Sequence, residues 1–181
     1  MMTHTEIMRW LQTSKLEGYS SLGGGGGPGG ARCSITSICS VNENGEVDCT
    51  GSIHLQRLSG SPTVPFKFGT VQESFRCGTT SLTDLRWLPS WIGGTLDVSA
   101  TGILSFAGIS KYVAHVGNTI MFASVPPTHC LELLLIGGAP GFVSSSNNPI
   151  ADILNKYRGT GDILACQDEL IDVGYIDQAR L

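Results

Sequence analysis

Cys130 and Cys166, taken with His115 and His129, are the residues whose types could supply a nucleophile and its base, a thiolate beside an imidazole. Each cysteine sits in an apolar run, where a buried and inert thiol is the ordinary outcome, so no catalytic residues are expected. Metal ligation fails on spacing. Structural zinc uses pairs such as Cys-x2-4-Cys, whereas Cys33 and Cys39 are further apart and the adjacent His129 and Cys130 would point away from each other on a strand. No metal and no other cofactor is therefore expected. Asp168 and Asp172, with Glu169 beside them and Asp162 upstream, place carboxylates on one helical face, which reads as a solvated surface. The glycine run Gly23 to Gly30 lacks the Lys and following Ser or Thr of a phosphate loop and reads as a flexible connection. Aromatics at a loop edge are the better lead to function: Trp87 and Trp91 flank Pro89, and aromatic residues in such places are enriched in binding surfaces.

These residues are positioned by a repeat. Phe75, Cys77, Thr80, Leu82, Leu85, Leu88 and Ile92 recur as Leu96, Val98, Thr101, Ile103, Phe106, Ile109 and Val113, each 21 residues later. A repeat of this length is one unit that buries its apolar face only against a neighbour, which predicts a stack of coils. Each coil opens with an apolar, any, apolar triplet, and Thr80 and Thr101 stand where leucine-rich coils place an Asn inside the turn. Val47 and Cys49 are expected to occupy the Phe75 and Cys77 places in a degenerate first coil, and Ile120 and Phe122 the Leu96 and Val98 places in a later one. After Val113 the period slips. In this register the counterparts of Trp87 and Trp91 are Gly108 and Tyr112, so Trp87 is not a repeated core position. Gly93 and Gly94 are expected to lend the backbone freedom to start the next coil.

Both ends read as helical caps. Thr3 and Glu6 have the spacing of a capping box, with Ile7, Trp10, Leu11 and Ser14 on one face. Asn148 and Pro149 start a second helix carrying Ile150, Ile153, Leu154 and Tyr157, which Gly159 stops. Asp162 caps a third with Ile163, Cys166, Leu170 and Val173 inward, while the apolar run Cys130 to Ile136 centres the C-terminal core. The fold class expected is α+β: a short, irregular leucine-rich-like β-solenoid of three to four coils with an N-terminal helix and two C-terminal helices as caps. Its parts are a capping helix at 1–22, a glycine-rich loop at 23–34, the repeat core at 35–145 and the helical cap at 146–181.

Composition fits that plan and excludes other classes. The 181 residues include 24 Gly and only 14% charged residues, against roughly 25% in an average protein, which suits short strands and many turns. A net charge of −4 without a basic cluster argues against nucleic-acid binding. No apolar run approaches the roughly 18 residues that would suggest a membrane span, and the start lacks the apolar stretch of a signal peptide. Six cysteines in a soluble, unexported chain are expected to be free thiols.

The N-terminal Trp-Leu helix, the phrases VPFKFGTVQESFRC (64–77) and SLTDLRWLPSWIGGTL (81–96), and the closing ILNKYRGTGDILACQDELIDVGY (153–175) resemble a family of leucine-rich-repeat-like hypothetical proteins of tailed bacteriophages. The likeness covers residues 1–19 loosely and 47–175 well. Thr80 and Thr101 depart from the family's Asn, and the glycine run is an insertion. The resemblance implies a phage-encoded chain and says almost nothing of activity; the extended surface of a solenoid is what suggests a non-enzymatic module that binds a protein partner of the host or the virion, in the host cytoplasm, or alternatively a virion accessory of head or tail, with a Cys-dependent enzyme a distant alternative. Asn155, Lys156, Tyr157, Asp162, Gln167 and Glu169 belong to the recurring tail phrase and either pin the cap or form a site, and with Trp87 and Trp91 they are the candidate interaction residues.

Overall fold

The computed structural model describes residues 2–13, 16–20, 31–55, 64–78, 82–99, 101–123, 127–138, 140–145 and 148–181. The expectations placed on Ser14, on Gly23 to Gly30 and on Thr80 lie outside the described residues. The rest of the chain is a β-solenoid of about four turns, each turn giving one short strand to each of two sheets. The first sheet joins β3 (Cys39–Val41), β4 (Val47–Cys49), β6 (Phe68–Val71), β8 (Trp91–Ile92) and β10 (His115–Val116), in the order β10-β8-β6-β4-β3. The second joins β1 (Glu17–Ser20), β2 (Ala31–Cys33), β5 (Ser52–His54), β7 (Phe75–Arg76), β9 (Leu96–Asp97), β11 (Thr119–Phe122) and β12 (Gly141–Ser144), in the order β12-β11-β9-β7-β5-β1-β2. Successive turns pair in parallel, as a coil that always winds the same way requires.

The repeat sets the register. Ile53, Phe75, Leu96, Ile120 and Phe142 are cross-strand partners in one unbroken column, all buried. Phe75 over Leu96 is the 21-residue match, and Leu96 beside Ile120 is the later coil at its longer offset. Two details differ from expectation. Val47 and Cys49 pair with Phe68 and Val71 in the five-stranded sheet, and it is Ile53 and Leu55 that align with Phe75 and Cys77. The first turn carries two apolar triplets of the same alternation, Val47-Asp48-Cys49 in one sheet and Ile53-His54-Leu55 in the other. The slip also falls before Val113: Ile92 pairs with Val116, because the 3-10 turn Ile109–Lys111 adds three residues to that coil. Trp91 is therefore matched by His115 rather than Tyr112.

The glycines at the coil corner act differently from the freedom assigned to them. Neither Gly93 nor Gly94 has a positive φ. At Gly93 a Cβ would overlap the carbonyl oxygen of Gln72 in the preceding coil, and at Gly117 that of Gly93, so the corner is held by close approach. Thr101 does the turn work expected of it, its hydroxyl donating to the Val98 carbonyl (2.9 Å) and accepting from Ile103 N (3.3 Å).

Capping follows the sequence signals. In α1 (His4–Thr13), Thr3 N donates to Glu6 (2.7 Å) and Glu6 N donates to the Thr3 hydroxyl (3.3 Å), a reciprocal box. Ile7 and Leu11 are buried, and Trp10 packs edge-on against Phe66 (5.1 Å between ring centres). From there Phe66, Phe68, Phe75 and Trp87 continue one row of rings spaced 5.0–5.8 Å apart, the spine of the N-terminal half. Each fully buried Phe in it contributes about 2 kcal/mol of transfer free energy. Short α2 (Ile35–Ile38), β1 and the edge strand β2 were not foreseen; β1 joins the seven-stranded sheet antiparallel to both β5 and β2. At the other end α3 (Ile150–Tyr157) and α4 (Ile163–Asp172) close the stack, over the 3-10 segment Cys130–Leu135, whose first four residues are buried. No described helix is long and apolar enough to cross a membrane.

Candidate interaction surfaces

Trp87 and Trp91 part company. The Trp87 side chain is buried at the end of the aromatic row, its indole N–H sealed from solvent and without a hydrogen-bond partner among the described residues. Trp91 is 39% exposed on the outer face of the five-stranded sheet. Its ring lies flat on the ring of His115 in the next coil, 5.2 Å between centres and 5° from parallel. In the preceding coil its partner is Thr70, and Thr70, Gln72 and Trp91 line an open recess there.

The tail residues pin the cap. Asn155 accepts from Phe142 N (2.9 Å) and donates to Phe142 O (2.8 Å), so the α3 amide satisfies both backbone groups on the outer edge of β12. An open edge would otherwise offer these groups to any passing strand. Lys156 (2.6 Å) and Tyr157 (2.6 Å) both donate to Glu169, tying α3 to α4, and the Lys156 ammonium, followed by the Tyr157 hydroxyl, holds the Glu169 carboxyl below the usual carboxylate range. Asp162 accepts from Ala165 N (3.1 Å) as the α4 N-cap, and Gln167 donates to the carbonyl of Ala179 (2.8 Å). Of the two roles considered for this phrase, these contacts are those of pinning. Asn155→Ala is expected to cost about 2 kcal/mol, measured by urea unfolding, because it leaves two backbone groups without partners.

Both cysteines considered at the outset are buried. Cys130 donates to the carbonyl of Pro127 (3.0 Å), and burial pushes its thiol up to about 12; burial, with Glu169 nearby, pushes that of Cys166 up to about 11. Both are protonated at neutral pH, the unreactive form. All six cysteines are free. His129, held in the left-handed region (φ 59°), hydrogen-bonds through Nδ1 with the hydroxyls of Thr128 (2.9 Å) and Ser105 (3.1 Å). Glu132, which interrupts the apolar run, is 8% exposed and accepts from Gly108 N with both oxygens (2.8 Å each), capping the 3-10 turn that carries the extra residues. Among the described residues no cluster of three or more His, Cys, Asp or Glu could hold a metal.

Two features escaped the sequence reading. The seven-stranded sheet carries a register row of Glu17, His54, Arg76 and Asp97, in which Arg76 stands between His54 and Asp97. Burial and the neighbouring Arg76 hold His54 below the usual imidazole value, opposed by Glu17 and Asp97. The other feature is apolar. Five of the nine large exposed hydrophobic residues among those described fall within the last 18 positions: Leu164, Ile171, Val173, Ile176 and Leu181. Leu164 and Ile171, seven apart, share one face of α4, and Val173, expected inward, is 50% exposed. Only a structure separates this face from the buried one of Cys166 and Leu170, since the helix is apolar on both sides. No protein-family model matches the chain, and no curated protein or solved structure matches it either, so its surfaces are read from their own chemistry.

Proposed function

We propose that this chain is a non-enzymatic interaction module that docks a protein partner on the outward face of its C-terminal cap. The observation that carries this reading is the exposed apolar set Leu164, Ile171, Val173, Ile176 and Leu181. A terminal cap of a solenoid needs a polar outer face to stay soluble, and an apolar one marks a surface that something else covers. The buried, protonated thiols and the pinning role of the tail residues leave the surface as the place of action. From the resemblance in its tail and coil phrases comes a finer reading, a phage-encoded module whose partner is a host protein. The second reading, a virion accessory, has the same apolar cap seated on a neighbouring virion subunit.

Affinity capture from phage-infected cells tests this. The parent chain and a Trp91→Ala variant are expected to retain the same protein, and a Leu164→Asp/Ile171→Asp variant to lose it. Equal retention by the double variant refutes the cap as docking face. Mass spectrometry of purified particles separates the two sources of partner: the virion reading requires the chain there.

A further inference from the structure

We propose that the outer face of the five-stranded sheet carries a sugar-binding slot, in which a neutral pyranose ring stacks on the free face of Trp91. It is independent of the docking face on the C-terminal cap. Parallel in-register strands about 4.8 Å apart place equivalent side chains above one another at nearly the thickness of a stacked ring. Trp91 and His115 show what that spacing does to planar groups, lying 5° from parallel with centres 5.2 Å apart. One coil earlier the rung is missing. Thr70 pairs with Trp91 on the other side, and its short side chain leaves the second face of the indole open to the recess it lines with Gln72. The recess is open to solvent and has the Trp91 indole on one side and Thr70 and Gln72 beside it.

Chemistry at its rim selects the occupant. The Thr70 hydroxyl and the exposed Gln72 amide stand at the edge of the slot, where a ring's own hydroxyls would meet them. Asp48, one coil further along the row, accepts from Thr70 N (2.7 Å) and from the Asn42 amide (3.2 Å), and its carboxylate adds an acceptor and a negative charge. A nucleotide would bring phosphate to this acidic corner of a chain whose net charge is −4, and would be repelled. An aromatic side chain of a protein partner needs apolar surroundings that exclude water, and among the described strand residues of this sheet Trp91 is the one large hydrophobic that is exposed. A pyranose satisfies both halves of the site: its axial C–H face meets the indole, and its equatorial hydroxyls meet the polar rim.

Saturation-transfer NMR with the methyl pyranosides of glucose, galactose, mannose and N-acetylglucosamine, together with an array of neutral glycans, tests the slot on the full chain. At least one pyranose ligand is expected to bind saturably. Trp91→Ala removes the stacking face and Thr70→Trp fills the slot with the missing rung, and each should weaken binding about tenfold or more. Gln72→Ala, at an exposed side chain, should weaken it with an unchanged circular-dichroism melt, which keeps the test decisive should Thr70→Trp disturb the sheet. Absence of binding to every pyranoside and glycan overturns the proposal, as does binding that survives both Trp91→Ala and Thr70→Trp. Preferential binding of N-acetyltryptophanamide or of adenosine monophosphate at Trp91 overturns it in favour of a protein or nucleotide ligand.

Discussion

Phe106→Asp is expected to leave no folded protein at 25 °C. Phe106 is fully buried, meets the ring of Phe122 edge-on at 6.3 Å, and lies on a coil whose backbone it joins to the next through Phe106 N and the Thr128 carbonyl (2.9 Å). Removing the ring alone costs about 3–5 kcal/mol through lost transfer energy and the cavity left behind. An unpaired carboxylate placed there adds several kcal/mol of desolvation, or takes up a proton and loses most of its polar hydration all the same. Against a total stability of roughly 5–15 kcal/mol the sum exceeds or exhausts what is available. Circular dichroism should show no cooperative melt for Phe106→Asp, while Phe106→Leu, which keeps most of the volume, should melt cooperatively at a lower temperature. A folded Phe106→Asp protein would mean that the two coils do not share a core at this position.

The second large effect is expected from a single methyl group. In Gly93→Ala the added Cβ meets the backbone carbonyl oxygen of Gln72, an atom that cannot swing aside as a side-chain end would. Gly93 N also donates to the Val71 carbonyl (2.9 Å), and the Gly93 carbonyl lies against Gly117 in the following coil, so a shift at this corner separates three coils at once. Overpacking of this kind costs about 3 kcal/mol, and the loss should appear as a lower urea midpoint with little change in slope. Gly159→Ala makes the contrast, because nothing lies within 4 Å of a Cβ there and only its φ of 74° is opposed, at about 1 kcal/mol.

Much of the architecture was legible because the repeat is a statement about contacts. Phe75 and Leu96 match in sequence since they meet in space, and the cap signals at Thr3 with Glu6 and at Asp162 are local chemistry that needs no tertiary context. Sheet membership was not legible. Val47-Asp48-Cys49 and Ile53-His54-Leu55 have the same alternation, and only the pairing partner tells one sheet from the other. The displaced slip has a similar cause: the 3-10 turn Ile109–Lys111 lies between Ile109 and Val113, whose spacing of four repeats that of Leu88 and Ile92, so three inserted residues hide inside an apparently matched pair. At the candidate sites, a Trp absent from the repeat could equally be core or surface, and Trp87 proves to be core while Trp91 stands out on the sheet. The aromatic stack on His115 was hidden by the same three-residue insertion. Asn155, Lys156, Tyr157, Asp162, Gln167 and Glu169 all make hydrogen bonds that tie the C-terminal elements together, a pairing across sequence that the phrase itself does not spell out.

Stacked coils and a pinned cap hold the fold, and the proposed docking role falls to the apolar outer face of the cap. Thermal unfolding of Leu164→Asp/Ile171→Asp, followed by far-ultraviolet circular dichroism beside the parent chain, tests that division most directly. Both side chains are already in water, so the melt should stay within a few degrees of the parent, surface changes being worth about 0.5 kcal/mol each. A collapse of the transition, such as Phe106→Asp should show, would mean that this face belongs to the core and would contradict the account.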